Sequence, residues 1–156
     1  LLNGKITVPV VKKNWDDVCT LLNHADLSNT VLLSVSAPHK IPEKALKRIS
    51  LGLNVHCGKL PHYAGMMPVF WQYAEKRKGI CITLHHLEKE IDQGEIIQEL
   101  FVPVSGDLLH DMKKVKSVSA ILFNSFIVKE LETYSGSSQK FRKYPSVDII
   151  KKVLRK

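Results

Sequence analysis

Apolar residues in this chain fall into short continuous runs separated by polar, glycine- or proline-bearing stretches, and the spacing within each run predicts an element. Ile6–Val11, Thr30–Val35, Leu51–Val55, Gly79–His85 and Glu95–Val104 read as strands. Asn14 can cap a helix through about Asn23, with Trp15, Val18, Leu21 and Leu22 on one face. Pro42 suits the first turn of a helix reaching Ile49. Pro68 starts another, to about Lys78, whose apolar residues Val69, Phe70, Trp71 and Tyr73 are expected on its core face. After Ser105, the series Leu108, Met112, Val115, Val118, Ile121, Leu122 and Phe126 predicts a long core-facing helix ended by Ser135-Gly136-Ser137-Ser138. A last short helix is expected from Ser146, with Val147, Ile150, Val153 and Leu154. Strands alternating with helices predict an α/β domain with a mostly parallel sheet, its last strand turning back antiparallel after Asp92. The domain is expected over 1–134, followed by a basic tail over 135–156 with its short helix.

At 156 residues the chain is long enough for one domain with a core, and no apolar run approaches the roughly 20 residues that span a bilayer. The first residues lack the charged and apolar regions of a signal peptide, so the expectation is a cytoplasmic protein without a membrane. Cys19, Cys57 and Cys81 are an odd number without CxxC spacing, which fits a reducing compartment. Cys81 is expected to be a buried small apolar residue. The net charge is +8, and from Gln139 onward seven cations face Asp148 alone. Such a tail can hold phosphate or RNA, but without interleaved aromatics it reads first as a solvated lysine-rich surface.

The chemistry-bearing residues lie at strand ends. Sites in open α/β sheets form at the carboxyl ends of strands, which places the Ser36–Ile41 loop and Asn54–His56 on one rim. Asn54 and His56 are two apart and face the same side of an extended strand. Asp92 precedes the next apolar run. An amide N–H and an imidazole N–H can stabilise a tetrahedral oxyanion, and a carboxylate can hold the imidazole protonated and accept a proton from an attacking amine. His85, His86, His56, His62 and Cys57 show no metal-ligand spacing, so no metal is expected. Cys57 is read as a wall residue beside His56 and not as a nucleophile.

The segment Asn54-Val55-His56-Cys57-Gly58-Lys59-Leu60-Pro61-His62-Tyr63-Ala64-Gly65 resembles the formyltransferase signature N-x-H-x-x-x-L-P-x-Y-x-G. Pro68-Val69-Phe70-Trp71 is similar to the P-x-x-W of methionyl-tRNA and amino-sugar formyltransferases, and Thr83-Leu84-His85 with Asp92-Gln93-Gly94-Glu95-Ile96-Ile97 to T-x-H and D-x-G-x-I-I. The resemblance is good over residues 27–104. It departs at Cys57-Gly58, where the family has Pro-Ser, and at Ala64, where it has Arg. It implies a Rossmann-like formyltransferase fold lacking its first strands, 10-formyltetrahydrofolate as co-substrate, and a primary amine acceptor. That acceptor is a small molecule such as a nucleotide-linked amino sugar, or methionyl-tRNA. It implies Asn54, His56 and Asp92 as catalytic residues, with the pterin held by backbone of Ser36, Ala37, Pro38, His39, Lys40 and Ile41 and of Glu90 and Ile91. Thr83, His85 and Gly94 would support them, His85 by a hydrogen bond to the Asp92 loop. Two alternatives stay open: a formyltetrahydrofolate hydrolase, with water in place of the amine, and a non-catalytic folate- or partner-binding module.

Overall fold

The computed structural model describes residues 15–24, 26–28, 30–37 and 39–135, with side chains through residue 127. The expected strand at Ile6–Val11 and the helix from Ser146 lie outside the described residues.

The elements follow in the order α1 (Trp15–His24), β1 (Val31–Val35), α2 (Glu43–Leu46), β2 (Leu51–His56), α3 (Pro68–Ala74), β3 (Gly79–His86), β4 (Ile96–Pro103) and α4 (Leu108–Ser135). The sheet order is β1-β2-β3-β4. Among the described strands, β1 and β2 are parallel while β2–β3 and β3–β4 are antiparallel, so this sheet is mixed and meets the mostly parallel expectation only in part. The 57–78 connection leaves the carboxyl end of β2 and re-enters the sheet there in the opposite sense, which sets His56 across from Thr83.

Both short helices end earlier than their apolar spacing suggests. Past Leu46 the chain continues in turns, with Arg48 N–H and Ile49 N–H on the Ala45 carbonyl, before Ser50 N–H and Leu51 N–H reach the Thr30 carbonyl at the start of the β1–β2 ladder. At α3, Lys76 adopts φ 54°, with Lys76 N–H donating to the Tyr73 carbonyl and Arg77 N–H to that of Gln72. These two bonds are a Schellman stop. In so short a helix Val69 and Gln72 take the buried face, while Phe70 and Trp71, expected in the core, are exposed. Gln72 is buried because its amide is fully used, donating to the Cys57 and Pro68 carbonyls and accepting from Cys81 N–H.

Alternation along the strands makes two faces. Leu53 and Val55 of β2, Ile80, Ile82 and Leu84 of β3 and Val102 of β4 join Val69 of α3 and Val115 and Leu122 of α4 in the main core. Cys57 is part of this core, with Sγ 3.9 Å from Ser119 Oγ, so it packs against α4 instead of walling the space beside His56. Burial raises its thiol pKa, as expected of an inert cysteine. Cys81, expected buried, is half-buried. A smaller core of Leu22, Leu27, Ile41 and Ala45 ties α1 to α2. The opposite face of β2 and β3 carries polar residues. Asn54 lies across from His85 and His56 across from Thr83. Among the described residues, no helix is long and apolar enough to cross a membrane.

Candidate active site

Strand period, register and one turn bring the site together. Asn54 and His56 share a face of β2, and the β2–β3 register adds His85 and Thr83 to that face. The loop after β3 then returns Asp92 over it. Asp92 sits at φ 56°, a left-handed conformation that Asp tolerates better than most side chains. Gly94 lets the turn close, because a Cβ there would lie 1.8 Å from the His86 carbonyl oxygen.

Asp92 is the hub. Its Oδ1 lies 3.4 Å from His56 Nδ1, 3.4 Å from Asn54 Nδ2 and 3.7 Å from His85 Nε2. Its Oδ2 accepts the Gly65 N–H at 2.8 Å. The side chains of His56 and Asp92 are only 8% and 6% exposed, so the pair works largely out of water. His56 Nε2 donates to the Tyr63 main-chain carbonyl at 2.6 Å. Both ring nitrogens thus face oxygens, and both can donate only from the imidazolium. Asn54 Nδ2 is 3.0 Å from His85 Nε2, and His85 Nδ1 is 2.8 Å from the His86 carbonyl. One tautomer satisfies both: His85 neutral, its proton on Nδ1, accepting from Asn54 at Nε2.

Burial acts to raise the Asp92 pKa, while His85, the Gly65 N–H and the charge of His56 act to lower it and prevail. Of these the Gly65 N–H is the firm donor, since His85 stands farther off with Nε2 already facing Asn54. The sign of the pH effect follows. A carboxylate whose folded pKa is depressed gives stability that is whole above its unfolded value of about 3.9 and is lost as pH falls through the lower folded value. Urea unfolding of the parent should therefore weaken below about pH 4, and Asp92→Asn should remove that part of the slope. An unchanged slope in the variant would count against a paired Asp92 carboxylate.

The other residues named from sequence are distributed around this hub. Ser36, at φ 52°, and Ala37 are exposed beyond β1. Pro38 lies outside the described residues. His39 is exposed, its ring 5.4 Å from that of Trp15. Lys40 Nζ lies 3.5 Å from Glu90 Oε2, so this loop and the one leading to Asp92 are neighbours. Ile41 turns its side chain into the smaller core, and Ile91 is exposed. Thr83 Oγ1 donates to the Gly58 carbonyl at 2.8 Å, bracing the segment after His56 and not the Asp92 loop. Residues not singled out from sequence also take part. Gly65 contributes its N–H and Tyr63 its carbonyl. The L-P-x-Y-x-G spacing contained both, but a signature of side chains does not reveal which backbone groups point inward. Among the described residues, no cluster of three His, Cys, Asp or Glu is arranged to hold a metal ion.

A family model described as Formyl transferase matches residues 26–117, more than half of the chain and the stretch that builds this site. The chain belongs to the formyl transferase family. The methionyl-tRNA formyltransferase of Phocaeicola vulgatus is 32% identical over 133 residues, covering 78% of this chain and 40% of that protein. That of Enterococcus faecalis is 32% identical over 81 residues, covering 51% of this chain and 26% of that protein. The chain thus spans well under half the length of these relatives. Among solved structures, a 4-N formyltransferase from Francisella tularensis superposes with a TM-score of 0.59 at 26% identity, over 74% of this chain and 46% of that one. A phosphoribosylglycinamide formyltransferase from Bacillus halodurans gives 0.60 at 19% identity, over 81% and 64%. That likeness establishes the formyltransferase fold for the chain.

Proposed function

We propose that this site transfers a formyl group from 10-formyltetrahydrofolate to a primary amine, with Asn54, His56 and Asp92 as its catalytic residues. The observation that carries the reading is the Asp92 carboxylate within 3.4 Å of both Asn54 Nδ2 and His56 Nδ1. The amine nitrogen attacks the formyl carbon, and the carbonyl electrons move to oxygen. The resulting oxyanion is stabilised by N–H donors of His56 and Asn54 fixed in advance on one strand face. Asp92, whose carboxylate faces His56 Nδ1 until then, takes the amine proton, directly or through water. Collapse of the oxyanion breaks the bond to the folate nitrogen, which takes back from Asp92 the proton lost by the amine and leaves as tetrahydrofolate. The loops that carry Lys40 and Glu90 are exposed and lie against each other, which supports them as the pterin's holders.

For the acceptor, the sequence likeness to methionyl-tRNA formyltransferases supports an aminoacyl-tRNA, and the structural likeness to a 4-N formyltransferase supports a small-molecule amine. The test is tetrahydrofolate release from 10-formyltetrahydrofolate with methionyl-tRNA, nucleotide-linked amino sugars and buffer alone. Turnover that depends on one amine and is abolished in His56→Ala is the expected result. Equal release without amine would assign the site to hydrolysis, and folate binding with no release under any condition would reduce it to a binding module.

A further inference from the structure

His56 Nε2–H, the donor that the proposed reaction turns toward or shares with the oxyanion, rests on the Tyr63 carbonyl in this structure, so whatever fixes Tyr63 fixes the ring from which that donor acts. Tyr63 is held by its own side chain. Its hydroxyl donates to Glu75 Oε2 at 2.5 Å and accepts from Arg77 Nε at 2.8 Å. The Arg77 guanidinium also lies over the Tyr63 ring, 5.9 Å from its centroid, and reaches Glu75 Oε2 with Nη2 at 3.2 Å. Every pair of the three side chains is therefore in contact, and the Schellman stop at Lys76 turns the chain so that Glu75 and Arg77 both face Tyr63.

We propose that Glu75, Tyr63 and Arg77 form a clasp that positions the His56 imidazole for catalysis through the Tyr63 main-chain carbonyl. The inference rests on the proposed role of His56. All three clasp residues are solvent-accessible, so the trio contributes little to stability as ion pairing. Its effect is geometric: two tethers on one hydroxyl fix the Tyr63 side chain, and with it the carbonyl at the same residue. The charges agree with this. The hydrogen bond to Glu75 raises the Tyr63 pKa, and the same bond lowers that of Glu75, so the phenol keeps its proton and the carboxylate its charge. The loop binds both halves of the catalytic pair, since Gly65 two residues on donates to Asp92 Oδ2. Tyr63 is thus a positioning residue, with no contact to reacting atoms required of it.

The test is Tyr63→Phe, which keeps the ring and deletes the hydroxyl, in the chain labelled with 15N at histidine. The expected result is a shift of the His56 ring nitrogen resonances and a fall in kcat of about tenfold, inside the hundredfold that a 1 Å misplacement can cost. KM for the folate should stay within about twofold, because uniform binding is untouched. Glu75→Ala should reproduce both effects, and Glu75→Gln, which keeps an acceptor oxygen, should recover much of the loss. Ring resonances and kcat identical to the parent in Tyr63→Phe would overturn the clasp. A parent that transfers no formyl group would instead overturn the assigned reaction, and the ring resonances would then decide the clasp by themselves.

Discussion

Asp92→Asn is expected to lower kcat for formyl transfer by about two to four orders of magnitude, the span of a lost general base and a lost electrostatic partner combined. The substitution keeps the side-chain shape, and Asn tolerates the φ of 56° as well as Asp does. What changes is charge. Asp92 Oδ1 lies 3.4 Å from His56 Nδ1, and a neutral amide removes the anion that faces that ring nitrogen. It also removes the base that takes the amine proton. The Gly65 N–H can still be met by an amide oxygen, so the loop has a partner in both proteins. Single-turnover release of tetrahydrofolate, with far-UV circular dichroism as the control for folding, measures the effect. A native-like variant with kcat within about threefold of the parent would remove Asp92 from the proposed chemistry.

Gly94→Ala is expected to cost about 3 kcal/mol of stability, at the upper end of overpacking penalties. The added Cβ meets the His86 carbonyl oxygen at 1.8 Å and its carbon at 2.7 Å, and these are backbone atoms of β3 that cannot swing away. His86 N–H is also bonded to the Glu95 carbonyl at 3.0 Å, so pushing the turn off β3 breaks the entry to β4. The same push carries Asp92 away from His56, and activity should fall with stability. Gly106→Ala is the comparison: at φ 97° it meets no atom within 4 Å, so it bears the conformational cost alone, about 1 kcal/mol. Urea denaturation of the two variants measures the difference, and a Gly94→Ala protein as stable as the parent would show that the turn can relax.

The placement of Asn54 and His56 on one face follows from the two-residue period of a strand, and no tertiary information is needed to see it. The long helix that begins at Leu108 follows from apolar spacing. The early end of α3 was not legible, because a lysine at φ 54° gives no signal of the kind a glycine gives. The outward turn of Phe70 and Trp71 was hidden for a related reason. Their apolar character argues for burial, but a seven-residue helix has room for one inward face, and Val69 and a fully bonded Gln72 occupy it. His85 could be placed near Asp92, yet its bond to Asn54 depends on the antiparallel register of β2 and β3.

By itself the sequence determined the family, through the order of N-x-H, L-P, P-x-x-W and D-x-G, and the run of strands and helices that carries those motifs. Local periodicity and turn chemistry are properties of neighbouring residues, so they survive in one dimension. Strand sense, the hub at Asp92 and the Glu75–Tyr63–Arg77 clasp were decided only in the tertiary structure. They join groups through space across loops, where the path of the chain is set by which ends can reach each other, and no spacing along the sequence encodes that distance.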